Sequence, residues 1–86
     1  MIMTNKQIAE TIYKRLKMFL IESNWLDKNT SEQARALFTT LCFIGDINPD
    51  TAICDNMLLE LYNESDMKSI DISYDEFDLY MCEFLV

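Results

Sequence analysis

The sequence predicts a small all-α protein, a single-domain bundle of about four helices. The chain has one Gly and one Pro in 86 residues, which is too few for the many tight turns of a β-sandwich or barrel. Half of the residues are apolar and 26% are charged, a composition typical of a folded domain. Four segments repeat apolar residues every three or four positions, as on one helical face. We therefore expect residues 1–86 to form a single acidic helical domain.

The first predicted helix begins at Thr4, and Gln7 stands at the capping-box position three residues later. Its apolar stripe consists of Ile8, Ile12, Leu16 and Phe19, widened by Ala9, Tyr13 and Leu20. The opposite side carries Lys14 and Lys17, with Arg15 on its flank. This pattern predicts a helix with one buried face and one basic face.

The second predicted helix starts near Thr30, with Gln33 at the capping-box position. Its apolar stripe is Ala34, Leu37, Phe38, Leu41 and Cys42. Gly45 suits the position after the helix, because a left-handed backbone costs glycine nothing.

The third predicted helix uses Asn48 as its N-cap and Pro49 as its first residue, where a missing N–H is harmless. Its candidates for burial are Ile53, Cys54, Met57, Leu58, Leu61 and Tyr62.

The fourth predicted helix begins at Ser73, with Glu76 as the capping partner. Its apolar arc is Tyr74, Phe77, Tyr80, Met81, Phe84 and Leu85. Between the last two helices, residues 65–73 are predicted to be a short irregular or extended segment. Ile70 and Ile72 alternate there with polar residues, but a single strand would have no second strand to pair with.

Charge divides the chain into two unequal parts. Residues 1–35 carry six basic and four acidic side chains, whereas residues 36–86 carry eleven acidic side chains and a single lysine, Lys68. Such an electronegative surface repels nucleic acid and anionic membranes and attracts basic proteins. The sequence therefore predicts a protein partner with a basic surface, such as a nucleic-acid-binding protein, and no direct binding to nucleic acid or to a membrane.

The first functional hypothesis is a non-enzymatic protein that binds and blocks or regulates this basic surface. An inhibitor, immunity or anti-defence protein of this type could act as a nucleic-acid mimic, because duplex DNA presents about one negative charge per 1.7 Å of axis. The expected partner-binding residues are acidic and belong to the last two helices and the segment between them. They are Asp55, Glu60, Glu64, Asp66, Asp71, Asp75, Glu76, Asp78 and Glu83.

The alternative hypothesis is a helical adaptor, chaperone or dimer subunit that binds through exposed apolar residues. Five large apolar residues fall outside the four stripes and are expected to face outward: Met18, Ile21, Phe43, Leu59 and Leu79. Exposed apolar patches mark interfaces. The basic side of the first helix could also meet the acidic half of a second copy, so a homodimer is included among the expected partners.

The chain lacks the residues that most catalytic mechanisms require. Histidine, the usual base at neutral pH, is absent, and one glycine cannot build a phosphate-binding loop. We expect Cys42, Cys54 and Cys82 to be buried thiols without a nucleophilic role. The sequence therefore predicts that the protein is not an enzyme and uses no cofactor and no metal.

Two stretches resemble parts of an EF-hand calcium loop without completing it. Residues 46–50 place Asp, Asn and Asp at the first three ligand positions, but Thr51 stands where the turn glycine belongs and Met57 where the bidentate glutamate belongs. Residues 72–77 resemble the second half of such a loop. The resemblance implies at most a helix–loop–helix without its metal.

Cysteine usage and hydropathy predict a cytoplasmic location. Three cysteines without a C-x-x-C spacing fit reduced thiols better than a disulfide framework. The apolar run 18–21 is too short for a secretory signal or a membrane span, so neither is expected.

Overall fold

Four α-helices and two short 3-10 helices make up the structure, a computed structural model that describes residues 2–86. The α-helices are α1 (Asn5–Glu22), α2 (Lys28–Gly45), α3 (Ala52–Glu64) and α4 (Tyr74–Met81). The first 3-10 helix is Met67–Ile70 and the second is Glu83–Leu85. No strand occurs within residues 2–86, and the predicted all-α bundle of about four helices is confirmed.

The predicted starts of the first and last helices are confirmed by their caps. Thr4 Oγ1 accepts a hydrogen bond from the Gln7 N–H (3.1 Å), and Gln7 Oε1 accepts one from the Thr4 N–H (2.9 Å), which completes a capping box. Ser73 Oγ accepts a hydrogen bond from the Glu76 N–H (3.1 Å) at the start of α4.

The predicted boundaries of α2 are wrong at both ends, by up to three residues. The helix begins at Lys28 rather than near Thr30, because the Asp27 carboxylate accepts the Asn29 N–H (3.0 Å) and caps the chain earlier. At the other end Gly45 remains helical, and Asp46 takes the left-handed conformation (φ 53°) expected of the glycine.

The predicted start of α3 is also wrong. Thr51 is the N-cap, and its Oγ1 accepts the Cys54 N–H at 3.3 Å. Asn48 and Pro49 instead lie in the loop that follows the left-handed turn at Asp46, so α3 starts three residues later than predicted.

The segment predicted to be irregular or extended contains the first 3-10 helix. Asp66 and Asp71 flank this helix, and both have left-handed backbones (φ 54° and 61°). Met67 is fully buried, and the Tyr62 hydroxyl donates a hydrogen bond to the Ile72 carbonyl (2.6 Å). These contacts hold the segment against the core without a strand.

The hydrophobic core lies between two layers of helices. α1 packs beside α2 and α3, and α4 packs beside the same two helices. The shortest dimension of the protein is 19 Å, about the thickness of two packed helices. Phe38, Leu58 and Phe77 are fully buried at the centre. In the loop between α1 and α2, Trp25 covers α4, with its ring centroid 5.2 Å from that of Phe77.

Two residues predicted to be buried are exposed. Ile53 is 64% exposed and Phe84 is 56% exposed. Ile53 lies in the first turn of α3, and Phe84 lies in the second 3-10 helix, beyond the end of α4. Both residues were predicted to be buried because they continue the apolar periodicity of their helices. In the structure, the buried face of each helix does not extend to these end positions.

None of the helices in the described part of the chain is long and apolar enough to cross a membrane.

The adjacent residues Leu58 and Leu59 test the position of the core. Leu58 is 0% exposed and Leu59 is 47% exposed. We expect Leu58→Ala to lower the free energy of unfolding by about 2–5 kcal/mol, because it leaves a cavity. Leu59→Ala should change it by about 0.5 kcal/mol or less. Urea unfolding measures both, and equal losses for the two variants would contradict the core described here.

Candidate protein-binding surface

Four of the nine predicted carboxylates lie around the first 3-10 helix and the start of α4. Asp66 and Asp71 flank the 3-10 helix, and Asp75 and Glu76 occupy the first turn of α4. All four are exposed. Asp75 and Glu76 also stabilise α4, because negative charge is favourable at a helix N-terminus. We call these four residues the acidic turn.

A second group, Asp55 and Asp78, lies where α3 meets α4. The Tyr74 hydroxyl points to the Asp55 carbonyl at 3.5 Å. Burial raises the pKa of Tyr74, and the nearby charges of Asp78 and Asp55 raise it further. Asp78 is half-buried, and its Oδ1 lies 3.5 Å from the Cys82 sulfur. The α3–α4 junction is therefore electronegative.

A third group, Glu60 and Glu64, faces α1. Glu60 Oε1 accepts hydrogen bonds from the Tyr13 hydroxyl (2.5 Å) and from Lys17 Nζ (2.9 Å). These two donors lower the pKa of Glu60. Burial raises the pKa of Tyr13, and the charges of Glu60 and Glu64 act in the same direction. Glu60 thus has a role in joining α3 to α1.

The ninth carboxylate, Glu83, is held by Arg35 of α2. The Arg35 guanidinium pairs with Glu83 and lies between the rings of Tyr80 and Phe84, at 4.3 and 4.1 Å from their centroids. Cation–π contacts of this kind stabilise a desolvated guanidinium. Glu83 therefore helps to fix the second 3-10 helix against α2.

The structure does not bring the nine predicted residues together on one face. The acidic turn lies around the first 3-10 helix and the start of α4, and Asp55 and Asp78 lie where α3 meets α4. Glu60 and Glu64 lie towards α1, and Glu83 lies towards α2. Among residues 2–86, two of the nine predicted carboxylates form ion pairs, Glu60 with Lys17 and Glu83 with Arg35.

Sequence reasoning missed the roles of Lys17 and Arg35. The prediction that Lys17 belongs to a free basic face of the first helix is wrong, because its ammonium group pairs with Glu60 of α3. Helical periodicity predicts no role for Arg35. Both partners are more than 40 residues away along the chain, so no local pattern signals these contacts. Lys14 and Arg15 do form an exposed basic side, which borders a shallow groove of about 530 Å³ with Met18 and Phe19.

The three cysteines lie together in the core, as predicted for buried thiols. All three are free and buried. A hydrogen bond with Cys42 raises the pKa of Cys54 to about 12 despite an opposing effect of Cys82. Contact with Cys54 and burial raise the pKa of Cys82. The thiolate forms needed for nucleophilic attack are therefore disfavoured at Cys54 and Cys82.

Within residues 2–86, no group of three or more Cys, Asp or Glu side chains is arranged to hold a metal ion. No protein-family model, curated protein or solved structure shows significant similarity to this chain.

The pair of donors on Glu60 gives a prediction for its titration. Tyr13→Phe should raise the pKa of Glu60 towards the ordinary value of about 4.3, because the variant loses the stronger of the two donors. In the native protein the lowered pKa stabilises the fold above that ordinary value, and this contribution is lost as the pH falls through the lowered value. Carboxyl NMR titration measures the shift. Tyr80→Phe is the control, and an unchanged pKa in Tyr13→Phe would contradict the contact.

The buried thiols give a second prediction. The raised pKa of Cys54 keeps this thiol protonated at pH 8, and burial shields all three cysteines from reagents. We expect an aromatic disulfide reagent to label none of the three cysteines of the native protein within an hour, and all three after unfolding in urea. Rapid labelling of one cysteine in the native state would show that a reactive thiol exists.

Proposed function

We propose that this protein is a non-enzymatic, cytoplasmic binding protein that covers a basic surface of a protein partner and thereby inhibits or regulates it. The observation that supports this proposal is the acidic turn. Its four carboxylates are exposed, and within the described residues none of them lies within 4 Å of a lysine or arginine nitrogen. Charges that are not neutralised within the molecule are free to attract a basic partner.

The mechanism is electrostatic occlusion. A cluster of carboxylates speeds the encounter with a positively charged surface and competes there with other anions. If the partner binds nucleic acid, the acidic turn acts as a nucleic-acid mimic, because phosphates and carboxylates seek the same lysine and arginine groups. Asp55 and Asp78 extend the charged surface towards α3.

A second candidate function is supported by the exposed apolar residues. The five residues expected to face outward are all at least 47% exposed: Met18, Ile21, Phe43, Leu59 and Leu79. They favour a helical adaptor or a dimer subunit that binds by apolar burial. This type of association changes little with salt and shows a negative heat-capacity change. Sedimentation at micromolar concentration, at low and high salt, tests the dimer directly.

The acidic turn is tested with two double variants of equal net charge. Asp71→Asn with Asp75→Asn removes two charges from the turn, and asparagine keeps the left-handed backbone at position 71. Glu22→Gln with Glu32→Gln removes two charges elsewhere and is the control. The immobilised wild-type protein should capture a basic protein from the native cell extract at low salt and release it as salt rises.

The association rate of the captured protein should fall by about tenfold in the first double variant and change little in the control. Capture that is insensitive to salt, equal effects of the two double variants, or the absence of any captured basic protein would contradict the proposal.

A further inference from the structure

The last residues of the chain lie against α2. The second 3-10 helix follows the end of α4, and we call residues 83–86 the C-terminal strap. Glu83 pairs with Arg35 of α2, and Leu85 packs against the hydrophobic core. The Leu85 N–H donates a hydrogen bond to the Cys82 carbonyl (2.9 Å). A chain end held by one short turn is the kind of segment that opens while the rest of a protein stays folded.

The strap covers Arg35. The guanidinium lies 4.1 Å from the ring centroid of Phe84, which belongs to the strap, and 4.3 Å from that of Tyr80 in α4. The Arg35 side chain is 15% exposed, and its Nε atom is buried without a hydrogen-bond partner among residues 2–86. Burying this N–H unpaired costs free energy. The ion pair with Glu83 and the contact with Phe84 offset that cost, and both are lost when the strap opens.

The two rings around Arg35 are held differently. The ring centroid of Tyr80 lies 5.3 Å from that of Trp25, and the Tyr80 hydroxyl donates a hydrogen bond to Ser31 Oγ at 3.3 Å. Phe84 is 56% exposed and belongs to the second 3-10 helix. When the strap detaches, Tyr80 therefore stays with α4 and Trp25, whereas Phe84 moves into solvent. The opening is thus confined to the strap.

We propose that the C-terminal strap is a salt-sensitive cover: residues 83–86 open as one unit while the four α-helices stay folded, and Arg35 is the residue that holds them closed. The Glu83 side chain is 58% exposed, and salt weakens ion pairs that are open to water. Opening releases both charges, so the Glu83 carboxylate becomes available to a basic partner. The closed strap withholds this one of the nine predicted partner-binding carboxylates.

The test measures opening in the full chain alone, labelled with nitrogen-15, so its result does not depend on the proposed function. NMR gives the rates at which the Leu85 N–H, the Arg35 Nε–H and the Phe38 N–H exchange with water. One opening exposes the first two, so we expect their protection to agree within a factor of about two. The N–H of Phe38, in the core, should be protected at least about a hundredfold more.

Salt should open the strap. An increase in NaCl from about 0.05 M to about 0.5 M should raise the exchange rates of the Leu85 N–H and the Arg35 Nε–H by about threefold, because the ions screen the pair of Arg35 with Glu83.

Matched variants separate the strap from the rest of the molecule. Glu83→Gln should raise the exchange rate of the Leu85 N–H by about fivefold. Glu60→Gln, which breaks the ion pair between α1 and α3, should leave that rate unchanged. Arg35→Lys keeps the positive charge but loses the planar group between the two rings, so it should also raise the rate. The fluorescence of Trp25, the single tryptophan, should be the same in both glutamine variants, because this residue lies outside the strap.

Four results would contradict this proposal. They are protection of the Leu85 N–H and the Arg35 Nε–H that differs by about tenfold or more, exchange of the Leu85 N–H that responds neither to salt nor to Glu83→Gln, equal increases in Glu83→Gln and Glu60→Gln, and protection of the Leu85 N–H equal to that of Phe38. The last result would mean that the strap opens only when the whole protein unfolds. None of the four bears on the acidic turn, and failure of the capture experiment would leave the strap in place.

Discussion

The fold depends on the burial of one face of the α1–α2 hairpin under α3 and α4. α3 has 13 residues and α4 has eight, lengths at which isolated helices are marginal or unstable in water. Their stability comes from burying apolar side chains, such as Leu58 of α3 and Phe77 of α4, in the core that also contains Phe38 of α2. The position of the acidic turn therefore depends on the buried residues next to it in the sequence, such as Met67 and Phe77. Burial of these residues holds α4 in place, and its carboxylates remain on the surface.

Two cations are used for internal contacts rather than for balancing the acidic surface. Lys17 joins α1 to α3 through Glu60, and Arg35 joins α2 to the second 3-10 helix through Glu83. Both cations also lie near aromatic rings, Lys17 near Tyr13 and Arg35 near Tyr80 and Phe84. Neither cation pairs with a carboxylate of the acidic turn, whose four negative charges surround one lysine, Lys68 of the first 3-10 helix.

Much of the fold follows from local signals. Thr4 and Ser73 cap their helices as predicted, and each hydroxyl accepts the backbone N–H three residues later. At α2 and α3 two capping groups compete: Asp27 precedes Thr30, and Thr51 follows Asn48. The sequence does not show which of them wins, because the choice depends on how the connecting loops reach the next helix.

The candidate site is harder to predict than the fold. Exposure of Leu79 follows from helical periodicity, but the exposure of Ile53 depends on where α3 begins. Arg35 pairs with Glu83, and Ala9, Gly45 and Ile53 line one groove, although these residues are far apart in the sequence. Such contacts arise from the packing of helices, and periodicity along one helix contains no information about them.

The three aspartates with positive φ have a consequence for how this sequence can vary. Asp46, Asp66 and Asp71 each adopt a conformation that costs an L-residue roughly 1 kcal/mol and costs glycine nothing. Selection for a more stable fold would favour glycine at these positions. Each replacement of aspartate by glycine would, however, remove a negative charge. Folding and electronegativity are thus opposed at three sites, and the residue that persists there in related sequences would record which of the two natural selection has preserved.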